Sequence, residues 1–274
     1  MSSVDAVFAA CRADERAALI GYLPAGYPTV DDSARLMAAM TDAGCDLIEV
    51  GVPYSDPVLD GPTIQAAAET ALRGGTRMRD VLAVVERVAE AGGAPVVMTY
   101  FNPVLRYGVP AFARDLAAAG GLGAITPDLI PDEAGEWLAA SAEHDLARIF
   151  LVAPSSTEER IASTASASSG FLYAASTTGV TGARAAVSTT AAELVARCRP
   201  HTALPIGVGL GVRSGAQAAE VAGFADGVIV GSAFVTAVEQ GGEAAVRELA
   251  GELAAGVRRT PARAPAPWSP SPGR

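Results

Sequence analysis

The chain of 274 residues contains no lysine; all 20 of its basic residues are arginine. That excludes a Schiff-base lysine, a pyridoxal phosphate lysine and a Walker-A lysine from this chain. Histidine is almost as scarce. His144 and His201 are the only two, and each precedes a short apolar run, on the side of a strand opposite the one where active sites are built. Both read as surface residues, so neither a histidine-based acid–base mechanism nor a metal site is expected, and acid–base work falls to carboxylates, with tyrosine in support. The three cysteines, Cys11, Cys45 and Cys198, are scattered and odd in number. They give no metal spacing and no disulfide framework, which fits a reducing cytoplasm. Positive charge is also in deficit: 30 acidic residues leave a net charge of −10, which argues against nucleic acid and anionic membrane surfaces as partners. No uncharged apolar run reaches the roughly 18 residues of a membrane span. The opening "MSSVDAVFAACRADERA" lacks the basic and then apolar regions of a signal peptide. A soluble, cytoplasmic protein is the expectation.

Half of the residues are apolar, enough for a large core. They recur in eight short runs: "ALIGYL" (18–23), "LIEVGV" (47–52), "PVVMTY" (95–100), "GAITPD" (123–128), "ARIFLV" (147–152), "FLYAAS" (171–176), "PIGVGL" (205–210) and "GVIVGS" (227–232). Helical patterns separate them. "DDSARLMAAMTDAG" opens on Asp and closes on Gly44, and Met78, Val81, Leu82, Val85 and Val88 fall at helical spacing. Ser155 and Glu158 offer a capping box. Alternating strands and helices require a parallel sheet, and eight such units favour an α/β fold of the closed (β/α)8 barrel type with a short N-terminal helix. An open doubly wound sheet is the structural alternative. One barrel domain is expected over residues 1–258, followed by a Pro-, Ala- and Ser-rich tail, 259–274, that reads as disordered.

Runs two and three are far enough apart for more than one crossover helix. The gap opens with "GVPYSDPVLDGPTIQ" (51–65), a stiff acidic loop, and in such barrels the loops after the strands build the active site. Strand alternation puts Ile48, Val50 and Val52 on one face and Leu47, Glu49 and Gly51 on the other. The branched set suits the helices, so Glu49 points into the barrel, where burial would raise its pKa and make it usable near neutral pH. A structural acid paired with an inward polar group is the competing account. "GVGLGVRS" gives Gly207, Gly209 and Gly211 after run seven, and Gly231 and Ser232 follow run eight at a helix start. This is the usual phosphate site of such barrels, though bare turn glycines would look the same. "STTGVTGARAAVSTT" (176–190) is small and polar and serves equally as a lid or as a plain surface loop.

Together "IEVGVPYSDPVLDGPTIQ", "YAASTTGVTGAR", "GVGLG" and "VGSAFV" closely resemble the tryptophan synthase α-subunit family, in order, from about Val7 to Gly256. The resemblance implies retro-aldol cleavage of indole-3-glycerol phosphate to indole and glyceraldehyde 3-phosphate, with no metal and no cofactor in this chain. By position in the motifs, Glu49 matches the general acid/base at indole C3, and Asp60 matches the carboxylate that holds the indole N–H. Tyr22, Tyr100 and Tyr173 match the pocket wall. Thr181 and Gly182 match the lid, and Gly182, Gly211, Gly231 and Ser232 the phosphate site. Asp56 matches a loop position at the contact with the β subunit, which carries pyridoxal phosphate in an α2β2 assembly. A free-standing lyase that releases indole, or a silent barrel that only activates a partner, would share much of this pattern. Tyr22 and Leu210 stand where many relatives have Phe, and "TPDLIP" replaces a more common A-D-x-P pattern while keeping Asp128.

Overall fold

The computed structural model describes residues 3–175, 184–209 and 211–258. Its strands are β1 (Ala18–Pro24), β2 (Leu47–Gly51), β3 (Pro95–Met98), β4 (Gly123–Ile125), β5 (Ala147–Ile149), β6 (Leu151–Val152), β7 (Leu172–Ala175), β8 (Ile206–Gly209) and β9 (Gly227–Val230). They pair in parallel in the order β5-β4-β3-β2-β1-β9-β8-β7-β6. The two edges of that order are halves of one run, 147–152, divided only by Phe150. β5 pairs with β4, and β6 pairs with β7. One strand therefore closes the ring, and the architecture is the (β/α)8 barrel expected from the eight runs. Among the described residues no helix is long and apolar enough to cross a membrane.

Strand alternation sorts the core into two shells. Ala18, Ile20, Leu47, Val96, Ile125, Ala147, Ile149, Phe171 and Ile229 form an inner cluster. Leu19, Ile48, Val50, Val97, Val208 and Val228 belong to an outer cluster shared with the helices. Helix α1 (Ser3–Ala13) joins the inner cluster through Val4, Phe8 and Cys11, with the Phe8 ring 5.4 Å from that of Phe171. It closes the N-terminal end of the barrel.

The remaining helices are α2 (Val30–Asp42), α3 (Pro62–Arg73), α4 (Met78–Glu90), α5 (Phe101–Tyr107), α6 (Val109–Ala118), α7 (Gly135–Glu143), α8 (Glu158–Ala167), α9 (Arg184–Cys198), α10 (Gly215–Ala222) and α11 (Ser232–Val257). The long gap between β2 and β3 holds α3 and α4, and α4 buries Val81, Leu82, Val85 and Val88 as their spacing predicts. Local expectations differ in three places. Ser155 does not cap α8. Thr157 does, its hydroxyl accepting from the Arg160 amide, so the helix starts later than the Ser155–Glu158 pattern suggests. Thr29, not an Asp, caps α2. Residues 184–190, read as the end of a loop, are the first turns of α9, which leaves 176–183 between β7 and that helix. Both histidines lie before strands: His144 ends α7, and His201 contacts Glu158 at 3.0 Å.

Candidate active site

Glu49 stands at the middle of β2, level with Tyr22 of β1 and Val96 of β3. Its side chain is 1% exposed, and its Oε1 has no hydrogen-bond partner among the described residues. Burial, with no charged neighbour among the described residues to offset it, pushes its pKa up to about 8. An unpaired buried carboxylate is expensive unless it keeps its proton, so near neutrality Glu49 is mainly the neutral acid. The competing account, a structural acid satisfied by an inward polar partner, finds no partner for Oε1 among the described residues.

Tyr22 and Tyr173 rise from the same inner face. Their phenols are held well above the ordinary value by burial first, and then by the negative charges of Glu49 and Asp60. The two tyrosines and the two acids thus share one region. Two glycines make room for the phenols. A Cβ at position 51 would lie 2.5 Å from the Tyr22 hydroxyl oxygen, and one at 209 would lie 2.6 Å from that of Tyr173. Sequence reasoning put Gly209 with the phosphate glycines and gave Gly51 no role beyond strand alternation. The signal was one of register: each faces a tyrosine on the adjacent strand.

Tyr22 also lines a small cleft, together with Val52, Asp60, Met98, Thr99, Tyr100 and Pro127. Burial raises the Asp60 carboxyl as well. Asp60 immediately precedes Gly61, the N-cap of α3, and Gln65 donates to its main-chain carbonyl at 2.7 Å. Tyr100 is buried, and its ring stacks on Tyr54 with centroids 4.9 Å apart. Its hydroxyl accepts the amides of Val58 at 2.9 Å and Leu59 at 3.0 Å. Asp128, from the loop after β4, accepts the amide of Phe101 at 2.9 and 3.1 Å through its two oxygens.

On the opposite side of the mouth, Gly211 has a φ of +64°, in the left-handed region that suits glycine, and nothing stands within 4 Å of where a Cβ would be. Gly231 is the N-cap of α11 and lies against Tyr22 and Ile64. Ser232 begins that helix, and no side chain caps it. Thr181 and Gly182 lie outside the described residues. Asp56 is exposed and accepts a hydrogen bond from Ser55 at 2.6 Å. Among the described residues no group of three or more His, Cys, Asp or Glu side chains is placed to hold a metal.

A buried acid inside a closed barrel, with a second acid carried on the loop after its strand, is an arrangement suited to moving protons, and it sits in a fold of the barrel-enzyme class. Comparison with known proteins makes the class specific. The family described as "Tryptophan synthase alpha chain" matches residues 8–259. A tryptophan synthase alpha chain from Mycobacterium tuberculosis strain H37Rv is 68% identical over 257 residues, covering 94% of this chain and 95% of the relative. A ligand-free crystal structure of tryptophan synthase from M. tuberculosis superposes with a TM-score of 0.89 at 65% identity, over 94% of this chain and 100% of the other. Tryptophan synthase subunit alpha from Legionella pneumophila, 31% identical, superposes with a TM-score of 0.82 over 94% and 98%. The chain belongs to the tryptophan synthase alpha chain family. It is a lyase of tryptophan biosynthesis, and its reaction is the cleavage of indole-3-glycerol phosphate to indole and glyceraldehyde 3-phosphate.

Proposed function

We propose that Glu49 and Asp60 divide the proton chemistry of this cleavage between them. Protonated Glu49 gives its proton to C3 of the indole ring, and positive charge develops at the ring nitrogen. Asp60 accepts the indole N–H and stabilises that charge. The resulting Glu49 carboxylate takes the proton of the glycerol hydroxyl. The oxygen lone pair forms the aldehyde, the C–C bond to C3 breaks, and its electrons restore the aromatic ring. Glu49 ends protonated, as it began. The observation that carries this reading is a buried, unpaired acid whose proton is retained near neutral pH.

Tyr22, Tyr100 and Tyr173 wall the indole. Gly211, Gly231 and Ser232, with Thr181 and Gly182 from the segment 176–183, hold the phosphate. The left-handed turn at Gly211 and the uncapped start of α11 support that placement, because main-chain N–H groups and a helix N-terminus attract an anion without lysine. This chain needs no metal and no cofactor of its own. Pyridoxal phosphate belongs to a β subunit, bound in a cytoplasmic α2β2 assembly that receives the indole. Support for that partner comes from the rim. The large apolar side chains exposed among the described residues, Val58, Leu59, Leu105 and Ile130, all follow β2, β3 or β4 on the face that carries the acids. Asp56 lies on the same loop as the first two. Such a rim counts against a free-standing lyase.

Glu49→Gln keeps the shape and removes the proton. Assayed for indole release, it is expected to lose about two to four orders of magnitude in turnover, as for a positioned general acid. Near-wild-type turnover would sink the assignment. In the same assay a cognate β subunit should raise the wild-type rate, and an unchanged rate would remove the coupling claim.

A further inference from the structure

Asp60 has no strand of its own to hold it. It ends a loop with prolines at 53 and 57, and among the described residues no side chain is hydrogen-bonded to its carboxylate. Its position is therefore set through the main chain on its two sides, by Gln65 and the start of α3 after it and by the residues before it. We propose that Tyr100 is a positioning residue for Asp60, its hydroxyl holding the main-chain amides of Val58 and Leu59, while Asp128 fixes Tyr100 from behind. The inference rests on the reading that Asp60 acts on the substrate.

The geometry is that of a two-stage clamp. One phenol oxygen takes two consecutive amides, at 2.9 and 3.0 Å, from the two residues preceding the acid. A phenol oxygen has two lone pairs to accept with, so both are used and the hydroxyl cannot turn to another donor. Tyr100 is itself unable to drift. Its residue is 6% exposed, its ring is stacked on Tyr54, and it forms the N-cap of α5. The next amide in that helix, Phe101 N–H, is taken by both oxygens of Asp128. A carboxylate at a helix N-terminus is a favourable charge–dipole arrangement, which anchors the turn carrying Tyr100. Loops after three successive strands, β2, β3 and β4, are thereby tied in sequence: Asp128 to Phe101, Tyr100 to Val58 and Leu59, and then Asp60. The clamped residues also project outward. Val58 is 76% and Leu59 49% exposed, so a protein seated on this rim would press on the same two hydrogen bonds that locate the acid.

Tyr100→Phe separates this role from that of a pocket wall, because it keeps the ring and its stack and removes only the oxygen. Amide hydrogen exchange on the free full-length chain should show Val58 and Leu59 exchanging at least about tenfold faster, with β2 unchanged. Steady-state indole release with the β subunit present should lose about ten- to a hundredfold in kcat, the scale of a small misplacement of a reacting group, with KM altered less than about threefold. Unchanged exchange at 58 and 59, or a change confined to KM, would overturn the proposal. Asp128→Ala, which touches neither loop residue, should also speed exchange at 58 and 59, and Asp128→Asn, which retains an acceptor for the Phe101 amide, should restore protection. Equal protection in both would overturn the second stage. If Asp60→Asn retained full turnover, the role of Asp60 would fall while the exchange result stood, so the two failures are distinguishable.

Discussion

The two ends of the barrel treat their carboxylates in opposite ways. At the closed end, Asp46 accepts from Arg16 through two bonds of 2.7 and 2.8 Å and from the Leu19 amide at 2.8 Å. That bonding holds the Arg16 guanidinium further above its ordinary range. Asp226 accepts from the Ile206 amide at 2.8 Å, with Arg199 Nη2 at 2.6 Å but off the direction of a hydrogen bond. In both, an acid placed just before one strand ties the start of its neighbour, β2 to β1 and β9 to β8. At the open end, Glu49 and Asp60 have no cation paired with them among the described residues, and burial drives their pKa values up. The same chemical group serves as a fastener where it is partnered and, in the function proposed above, as a reagent where it is not.

Asp46→Ala should break that contrast most severely. It takes both short bonds from a nearly buried guanidinium, leaving it Asp14 and the Ala17 carbonyl at 3.3 Å, and strands the Leu19 amide; the expected cost is about 3–5 kcal/mol of stability. Denaturation in urea measures the loss, and turnover per folded molecule should be unchanged. A loss under about 1 kcal/mol would mean that the fastener is ornamental. Next in size is a pH effect at the other end. The folded chain binds more protons at Glu49 than the unfolded chain does between the ordinary value of 4.5 and about 8. Stability from this site is thus fully present below 4.5 and is lost as pH rises through about 8. Relative to Glu49→Gln, the wild type should lose up to about 4 kcal/mol across that window. A melting-temperature difference that stayed flat from pH 5 to 8 would contradict the unpaired acid. The smallest effect belongs to Asp226→Asn, which keeps an acceptor for Ile206 and loses only a part-exposed charge pair. About 1 kcal/mol is expected by the same urea measurement, and a loss as large as that of Asp46→Ala would erase the difference between the two fasteners.

Much of this was legible in the residues. Repeated apolar runs with helical spacers gave the barrel, because each βα unit must hide one face and the pattern recurs eight times. Strand parity alone aimed Glu49 inward, since a two-residue period leaves no other choice once Ile48 and Val50 face the helices. Caps were less legible: Thr157 and Ser155 are chemically alike, and only the approach of the chain selects one. Tyr100 shows the deeper limit. Its place in the run "PVVMTY" suggests a strand, yet β3 ends at Met98 and Tyr100 begins the turn into α5. What its hydroxyl meets lies some forty positions earlier, a pairing that no local pattern records. Gly51 and Gly209 are similar, their purpose set by phenols on other strands.

Helix α1 has a consequence for traffic. With Val4, Phe8 and Cys11 filling one end of the ring, the barrel is a cup and not a pipe. The substrate and both of its fragments must share a single doorway, and that doorway is the rim bearing Val58, Leu59, Leu105 and Ile130. Whatever sits on the rim becomes the doorkeeper, able to set the order of departures without touching a reacting atom.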